Sequence, residues 1–273
     1  MAVCWKWVDR RPDIDPLTGV VHSADARFGG VSEADAAALE WALRTAEAWG
    51  ATVTVVSAAG VDADRALRDA LAAGAHEVLR VDMDPRAPSA VTAAALADAV
   101  ADAAVVWCGD YSADRGSGSV PAFIAARRGV ASALGVVQIA VGGSDLTLTR
   151  RLDGGRREVL AVTPPAVISV EGSAATLRRA SLAATLRAER QHIPVVAGPV
   201  MAEPPHPLTR PFRPRPRPVP APQGTTALDR VRQLTGAAGG PANRAAVIEL
   251  HPRAAAERIL HELRDRGAGG VGL

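Results

Sequence analysis

Apolar positions in the first half of the chain fall into two alternating kinds of run. Val3–Val8, Thr52–Ser57, Glu77–Val81 and Ala104–Cys108 are short and largely β-branched, as buried parallel strands are. Between them lie Ala-rich stretches with apolar residues at helical spacing: Glu33–Trp49, Asp62–Ala73, Ser89–Asp102 and a helix from about Ser119 to Arg128. Ser32 stands before the first helix as an N-cap, Gly50 follows it as a stop, and Gly74 ends the second. This alternation predicts an α/β fold, a parallel-sheet Rossmann-like domain with helices on both faces. Ligands of such sheets sit outside the carboxyl ends of the strands.

After Gly129 the period shortens to two. Gly135–Val141, Leu146–Leu152 and Glu158–Val162 read as an antiparallel insertion, with Gly142-Gly143-Ser144-Asp145 and Asp153-Gly154-Gly155 as its turns. Ala166–Val170 returns as an apolar strand. Ala174–Arg190 reads as an exposed helical segment carrying Arg178, Arg179, Arg187 and Arg190. Residues 204–223 hold nine prolines and four arginines, which predicts an extended, polyproline-like spacer. Beyond it a short helix near Thr226–Leu234, a strand Ala246–Leu250 and a helix Pro252–Arg266 are expected. The predicted organisation is a nucleotide-binding α/β domain over 1–200, a Pro/Arg-rich linker over 201–223 and an extended C-terminal arm over 224–273. The arm is too small for a core of its own and is expected to dock on its own domain or on a partner chain.

Composition narrows the partners. Aromatics make up only 3% of the chain, so the core must be built from Ala, Val and Leu, and a net charge of +2 argues against nucleic acid or an anionic membrane surface. Cys4 and Cys108 each fall inside an apolar run, which suits buried thiols in a reducing compartment. With no basic-apolar leader and no apolar stretch of about 18 residues, a cytoplasmic protein without a membrane span is expected. The six histidines are scattered without metal-ligand spacing, and no nucleophile elbow is present. Neither a catalytic group nor a metal site is therefore expected.

The chemistry-bearing stretch follows the strand Ala104–Cys108. Gly109-Asp110-Tyr111-Ser112-Ala113-Asp114-Arg115-Gly116-Ser117-Gly118-Ser119-Val120-Pro121 is a loop of small residues that opens a helix. Glycines let the backbone approach a ligand closely, and Pro121 fits the first helical turn without losing a needed donor. Free amides beside the positive end of a helix dipole make a phosphate cradle. An ordinary strand-to-helix connection is the plainer reading of the same residues.

Several stretches, in order, resemble the β subunit of electron transfer flavoproteins. Cys4-Trp5-Lys6-Trp7-Val8-Asp9 is similar to that family's first strand, and Asp35–Arg44 to its first helix. Ala66–Ala75, Ser112–Val120, Arg150–Gly155 and Leu160–Val167 match further segments in register. The resemblance implies an electron carrier rather than an enzyme. It implies a heterodimer with an α subunit holding most of one FAD, which takes electrons from a partner dehydrogenase, and a β subunit that binds AMP or a second FAD. Carried over by position, the nucleotide would touch Cys4, Ser32, Glu33, Ala34, Asp35 and Ala58. Gly109, Ser112, Ala113, Asp114, Arg115, Gly116, Ser117, Gly118, Ser119 and Val120 would wrap its phosphate. Leu182 corresponds to an exposed leucine that grips partner dehydrogenases. The chain departs from the family at Ser32-Glu33-Ala34, where an Asn-Pro-aromatic triplet is usual, and at Arg115-Gly116, which brings an extra cation to the loop. A universal-stress-like nucleotide-binding module shares the parallel sheet and the loop, but gives the antiparallel insertion and the arm no role.

Overall fold

A computed structural model of the chain describes residues 1–11, 13–22, 28–200, 221–235 and 248–265. The chain divides into one unit over Met1–Phe212 and another over Arg213–Leu273. The first unit begins with β1 (Ala2–Cys4) and four two-residue strands, β2 (Val8–Asp9), β3 (Asp13–Ile14), β4 (Val21–His22) and β5 (Gly29–Gly30). It continues through α1 (Glu33–Trp49), β6 (Thr54–Ala58), α2 (Asp64–Ala73), β7 (Glu77–Asp82), α3 (Ser89–Ala99), β8 (Val105–Gly109) and α4 (Val120–Arg128). It closes with β9 (Ala131–Val141), β10 (Leu146–Arg151), β11 (Arg157–Val162), β12 (Ala166–Val170), α5 (Leu182–Glu189) and β13 (Val195–Ala197). The second unit holds α6 (Ala227–Leu234) and α7 (Pro252–Asp265).

One sheet carries the first unit, in the order β11-β10-β9-β12-β8-β1-β6-β7-β13. From β9 to β13 in that order every neighbouring pair is parallel, while β9, β10 and β11 pair antiparallel. Side chains on the strands alternate between two cores, as the pleat requires. Val3, Val55, Val105 and Trp107 pack on one face under α1 and α2 with Leu39, Leu43 and Leu67. Ala2, Cys4, Val56, Val106 and Cys108 pack on the other face with Leu96 of α3 and Ile124 of α4. Burying each large aliphatic side chain contributes about 1.5–3 kcal/mol, so alanines serve mainly to bring helices close to the sheet.

Capping follows the sequence. The Ser32 hydroxyl accepts from the Asp35 N–H at 3.0 Å, and Gly50 ends α1 with φ 63°, a left-handed conformation that glycine adopts without strain.

The antiparallel insertion is present as expected, but β9 is longer than the predicted Gly135–Val141 because its first half pairs parallel with β12. Three expectations need correction. The predicted strand Val3–Val8 is cut to Ala2–Cys4, and Val8–Asp9 instead pairs with Gly29–Gly30, where the Trp7 ring lies so close that a Cβ on Gly29 would overlap it. Ala174–Arg190 is helical only over Leu182–Glu189. The Arg178 N–H and guanidinium both bind Glu40 of α1, and the Trp41 indole N–H donates to the Ala174 carbonyl, so these residues are tied to α1 rather than coiled into helix. In the expected strand Ala246–Leu250, the described residues 248–250 are not in a strand, and the remainder lies outside the described residues. Most of the spacer over 204–223 also lies outside them. The edge strand β13 was not foreseen from the sequence.

Candidate functional site

Sequence order reverses between β1 and β8: from β1 the chain proceeds outward to β6 and β7, and β8 returns to the other side of β1. Two neighbouring strands whose connections leave in opposite directions open a crevice at their carboxyl ends. A cleft occupies this place. Its floor is Cys4 of β1 and Cys108 of β8, and its walls come from α1, the loop after β8, and the start of α3.

The loop after β8 has the backbone that its glycines allow. Gly116 and Gly118 sit at φ 63° and 58°, where other residues are strained. A Cβ on Gly118 would lie 2.3 Å from the Asp110 carbonyl oxygen, so this position admits no side chain without moving the loop. Pro121 lies in the first turn of α4 as expected. The first bond within that helix runs from the Phe123 N–H to the Ser119 carbonyl, 3.1 Å, and Ser119 gives no side-chain cap. The Val120 and Ala122 amides, ahead of that bond, therefore need a partner from outside the helix. The Ser117 and Ser119 hydroxyl oxygens stand 3.0 Å apart beside them, and both residues line the cleft.

Charges around the loop are distributed with purpose. Lys6, at the exit of β1, donates to both oxygens of Asp114 at 2.7 Å and to the Ser112 hydroxyl at 3.3 Å, tying the loop to the first strand. Burial pushes the Asp114 carboxyl up, but bonds from Lys6 and Ser112 outweigh it and hold its pKa below the ordinary value. The Arg115 guanidinium donates to the Ala87 and Arg86 carbonyls at 2.8 and 2.6 Å, which fastens the loop to the segment after β7. Those acceptors are neutral carbonyls, and the Arg115 charge also acts on the nearby Asp84 carboxylate and helps hold its pKa below the ordinary value.

Asp35 is the buried acid of the site. Its residue is only 5% exposed, and it lines the cleft. One carboxylate oxygen, Oδ1, accepts from the Gly109 N–H at 3.2 Å, joining α1 to the end of β8. The other, Oδ2, is buried with no hydrogen-bond partner. Burial is the largest influence on the group and lifts its pKa to about 7, against the opposing pull of Ser32, Gly109 and Lys6. Gly109 is glycine for a packing reason: a Cβ there would meet Asp35 Oδ1 at 2.6 Å and the Asp35 nitrogen at 2.8 Å. Beneath, Cys4 and Cys108 are free and buried; the neighbouring Cys4 sulfur and burial together push the Cys108 thiol well up.

The residues expected to touch a ligand separate into two groups. Cys4, Asp35, Ala58, Gly109, Ser112, Arg115, Ser117, Gly118, Ser119 and Val120 come together around the cleft. Ser32, Glu33, Ala34, Ala113, Asp114 and Gly116 do not line it. Ser32 caps α1, Ala34 is fully buried against the sheet, Glu33 lies beside Gly172, and Asp114 is occupied by Lys6. Sequence reasoning missed Lys6 and a wall made by Pro85, Ser89, Thr92 and Leu96, while Tyr111 belongs to the loop it singled out. The spacing of Ser89, Thr92 and Leu96 puts them on one face of α3, and two hydroxyls on an Ala-rich helix were the available signal.

Leu182 opens α5 and is 75% exposed, with Leu186 one turn on at 53%. The segment leading into α5 is held by Arg178, which binds Glu40 at 3.0 Å and also pairs with Glu47. Among the described residues no cluster of acidic, His and Cys side chains is arranged to hold a metal ion, and no helix is long and apolar enough to cross a membrane.

Residues 20–200 match a family model described as the electron transfer flavoprotein domain. The chain is 33% identical over 166 residues to an electron transfer flavoprotein subunit beta of Syntrophomonas wolfei subsp. wolfei, covering 60% of this chain and 66% of that protein. It is 32% identical over 171 residues to Protein FixA of Rhizobium meliloti, covering 58% of each. The chain thus spans less than two thirds of either relative. A parallel sheet reversing at β1 and β8, a glycine-bent loop opening α4 and a family match over most of the sequence agree with one another: the chain belongs to the electron transfer flavoprotein family, among the relatives of its β subunits.

Proposed function

We propose that this chain is the β-type half of a two-subunit electron carrier, and that its cleft holds an adenine nucleotide, either AMP or the AMP portion of an FAD. The observation that carries the reading is the loop Asp110–Ser119. Two left-handed glycines bend it at the topological reversal, and it leads into α4, whose first bond leaves the Val120 and Ala122 amides without a partner inside the helix, while Ser117, Ser119 and Val120 line the cleft. An anionic phosphate satisfies those donors and the positive helix end together. Arg115 adds charge complementarity, and the apolar floor at Cys4, Ala58 and Leu96 suits the rest of a nucleotide. The residues present thus fit the group.

In this reading the redox chemistry is supplied by a flavin, most of it held by an α-type partner subunit. The chain's own residues bind, orient and exclude water: Lys6 fixes the loop to β1, Arg115 fixes it to the segment after β7, and Asp35 fixes α1 to β8. The arm over 224–273 docks on the partner subunit, as its exposed apolar residues Leu228, Val231 and Leu234 on α6 and Ile259 and Leu260 on α7 support. Leu182 and Leu186 offer an apolar surface to a partner dehydrogenase, in a cytoplasmic setting. The test is to coexpress the chain with an α-type subunit, purify the complex, denature it and identify the released small molecules by mass. A yellow complex releasing FAD together with AMP, or FAD in twofold amount, is the expected result. A colourless homodimer without nucleotide refutes the proposal.

A further inference from the structure

The two cysteines of the chain, far apart in sequence, meet at one place in the fold. β1 pairs in parallel with β8, with Ala2 opposite Val106 and Val3 opposite Trp107, so the next step along both strands sets Cys4 opposite Cys108. Both side chains leave the same face of the sheet, among the residues packed with Leu96 and Ile124. Neighbouring strands run about 4.8 Å apart, inside the Cα separation of about 4.4–6.8 Å that a disulfide spans. Both thiols are free, and both line the cleft, at 7% and 3% exposure. The cleft is therefore the side from which a small reagent reaches them. An apolar floor has no need of sulfur, since alanine or valine would serve as well.

We propose that Cys4 and Cys108 are a reversible dithiol–disulfide pair, oxidised through the cleft by hydrogen peroxide and shielded while the cleft is filled. The pair goes beyond nucleotide binding and does not depend on it; only the choice of AMP as the shield does. In the first step the Cys4 sulfur attacks a peroxide oxygen, the O–O bond breaks, and Cys4 becomes a sulfenic acid as one water leaves. The Cys108 sulfur then attacks the Cys4 sulfur: an S–S bond forms, the S–O bond breaks and a second water leaves. Two S–H bonds are lost in all, and two electrons and two protons pass to the peroxide. Cys4 comes first because it is the more exposed of the two. The adjacent Cys4 sulfur and burial push the Cys108 thiol well up, so Cys108 keeps its proton and does not open the attack. A dithiol reductant restores both thiols by exchange and becomes a disulfide itself. Because both thiols lie in the cleft floor, a ligand seated there keeps the oxidant off them.

The experiment uses the full chain with its copurified partner, stripped of nucleotide, and treats it with hydrogen peroxide. Remaining thiols are alkylated and the protein is cut with trypsin. Cleavage after Lys6, Arg86 and Arg115 puts the two cysteines on separate peptides, 1–6 and 87–115. The expected product is a linked pair of these peptides, lighter than their sum by two hydrogens and separated again by dithiothreitol. Cys108→Ala is expected to leave Cys4 as a sulfenic acid that a dimedone probe labels, and Cys4→Ala to leave Cys108 unlabelled. AMP at about ten times its Kd leaves about one cleft in ten open, so it is expected to slow linking of the native chain about tenfold. Peptides that stay separate, whether unoxidised or carrying a sulfinic acid, overturn the pair. Labelling of Cys108 in Cys4→Ala overturns the order of attack. Linking at an undiminished rate while calorimetry shows AMP bound overturns the route through the cleft. Failure to bind AMP overturns the nucleotide reading instead, and the linked peptides then decide the pair by themselves. If a variant does not fold, the linked peptides of the native chain decide.

Discussion

Asp35→Asn makes a prediction about folding that needs no ligand. Burial lifts the Asp35 pKa from the ordinary 3.8 to about 7. Between those values the folded chain keeps a proton that the unfolded chain has released, so the stability this group contributes falls as pH rises. The contribution is fully present below 3.8 and is lost once the pH passes about 7. At about 1.4 kcal/mol per pH unit, the whole window amounts to roughly 4 kcal/mol at most. Between about pH 5.5 and 8, a range in which an α/β domain is studied without acid damage, the change is about 2 kcal/mol. Asn cannot ionise, so its stability lacks this term, while its carbonyl still accepts from the Gly109 N–H.

The assay is urea unfolding followed by tryptophan fluorescence. All five tryptophans, Trp5, Trp7, Trp41, Trp49 and Trp107, lie in the Met1–Phe212 unit, so the signal reports that unit alone. The readout is the stability of Asp35→Asn minus that of the native chain, measured at both pH values. Any constant cost of the amide cancels, as do all other carboxylates. The difference is expected to grow in favour of the variant by about 2 kcal/mol on going to the higher pH, a relative midpoint shift near 1 M urea. A difference that stays within about 0.5 kcal/mol across the range refutes the buried-acid argument.

Further substitutions test the rest of the framework. Gly118→Val puts a β-branched residue at φ 58° with its Cβ 2.3 Å from the Asp110 carbonyl oxygen; it is expected to cost about 2–4 kcal/mol and to lower the nucleotide content of the purified complex, and unchanged content on a chemical assay would break the link between this loop and the ligand. Arg178→Ala leaves the buried Glu40 carboxylate with Arg44 alone; a loss of about 2 kcal/mol in thermal unfolding is expected, with faster proteolytic cutting between residues 175 and 181. Burial pushes the Glu40 carboxyl up but Arg178 and Arg44 hold it below the ordinary value, so the stability from this cluster is present above the ordinary carboxylate range and is lost as pH falls through it. In Arg178→Ala, urea unfolding should show a weaker loss of stability on acidification. Deleting residues 204–273 is expected to reduce copurification with an α-type subunit at least tenfold, as measured by pull-down; full recovery of the pair would show that the arm does not dock there.

Element types in the first 130 residues were legible because each strand and helix carries a complete local signal. The middle residues of Thr54–Ala58 and Val105–Gly109 are buried on both faces, so both strands read as short runs rich in valine without an alternating polar face. α1 announces itself by Ser32 and Gly50, which act as the caps their residue types suggest. Legibility ends where a long-range partner decides. Ala174–Arg190 contains a helical composition, yet its first half is claimed by Glu40, 138 residues earlier, and no local pattern records that bond. Val8 looks like the end of β1, but pairing with Gly29–Gly30 turns it away. β13 is three exposed residues at the sheet edge, too short and too unburied to leave a periodic mark.

The site shows the same division at finer grain. Its glycines were readable as glycines but not as to purpose. Gly116 and Gly118 bend the loop, whereas Gly109 is small because α1 lies against it, with Asp35 Oδ1 and the Asp35 nitrogen where a Cβ would stand. That contact places the acid, since it is the close approach of α1 to β8 that carries Asp35 into the cleft. A larger residue at 109 would move the acid away from the crevice without touching the loop. The loop and the acid come from opposite sides of the β1–β8 reversal, and each is brought there by a different connection. A site assembled in this way depends on the strand order more than on any motif. One continuous stretch of sequence encodes the loop, whereas the placing of Asp35 beside it is fixed by the order of the strands.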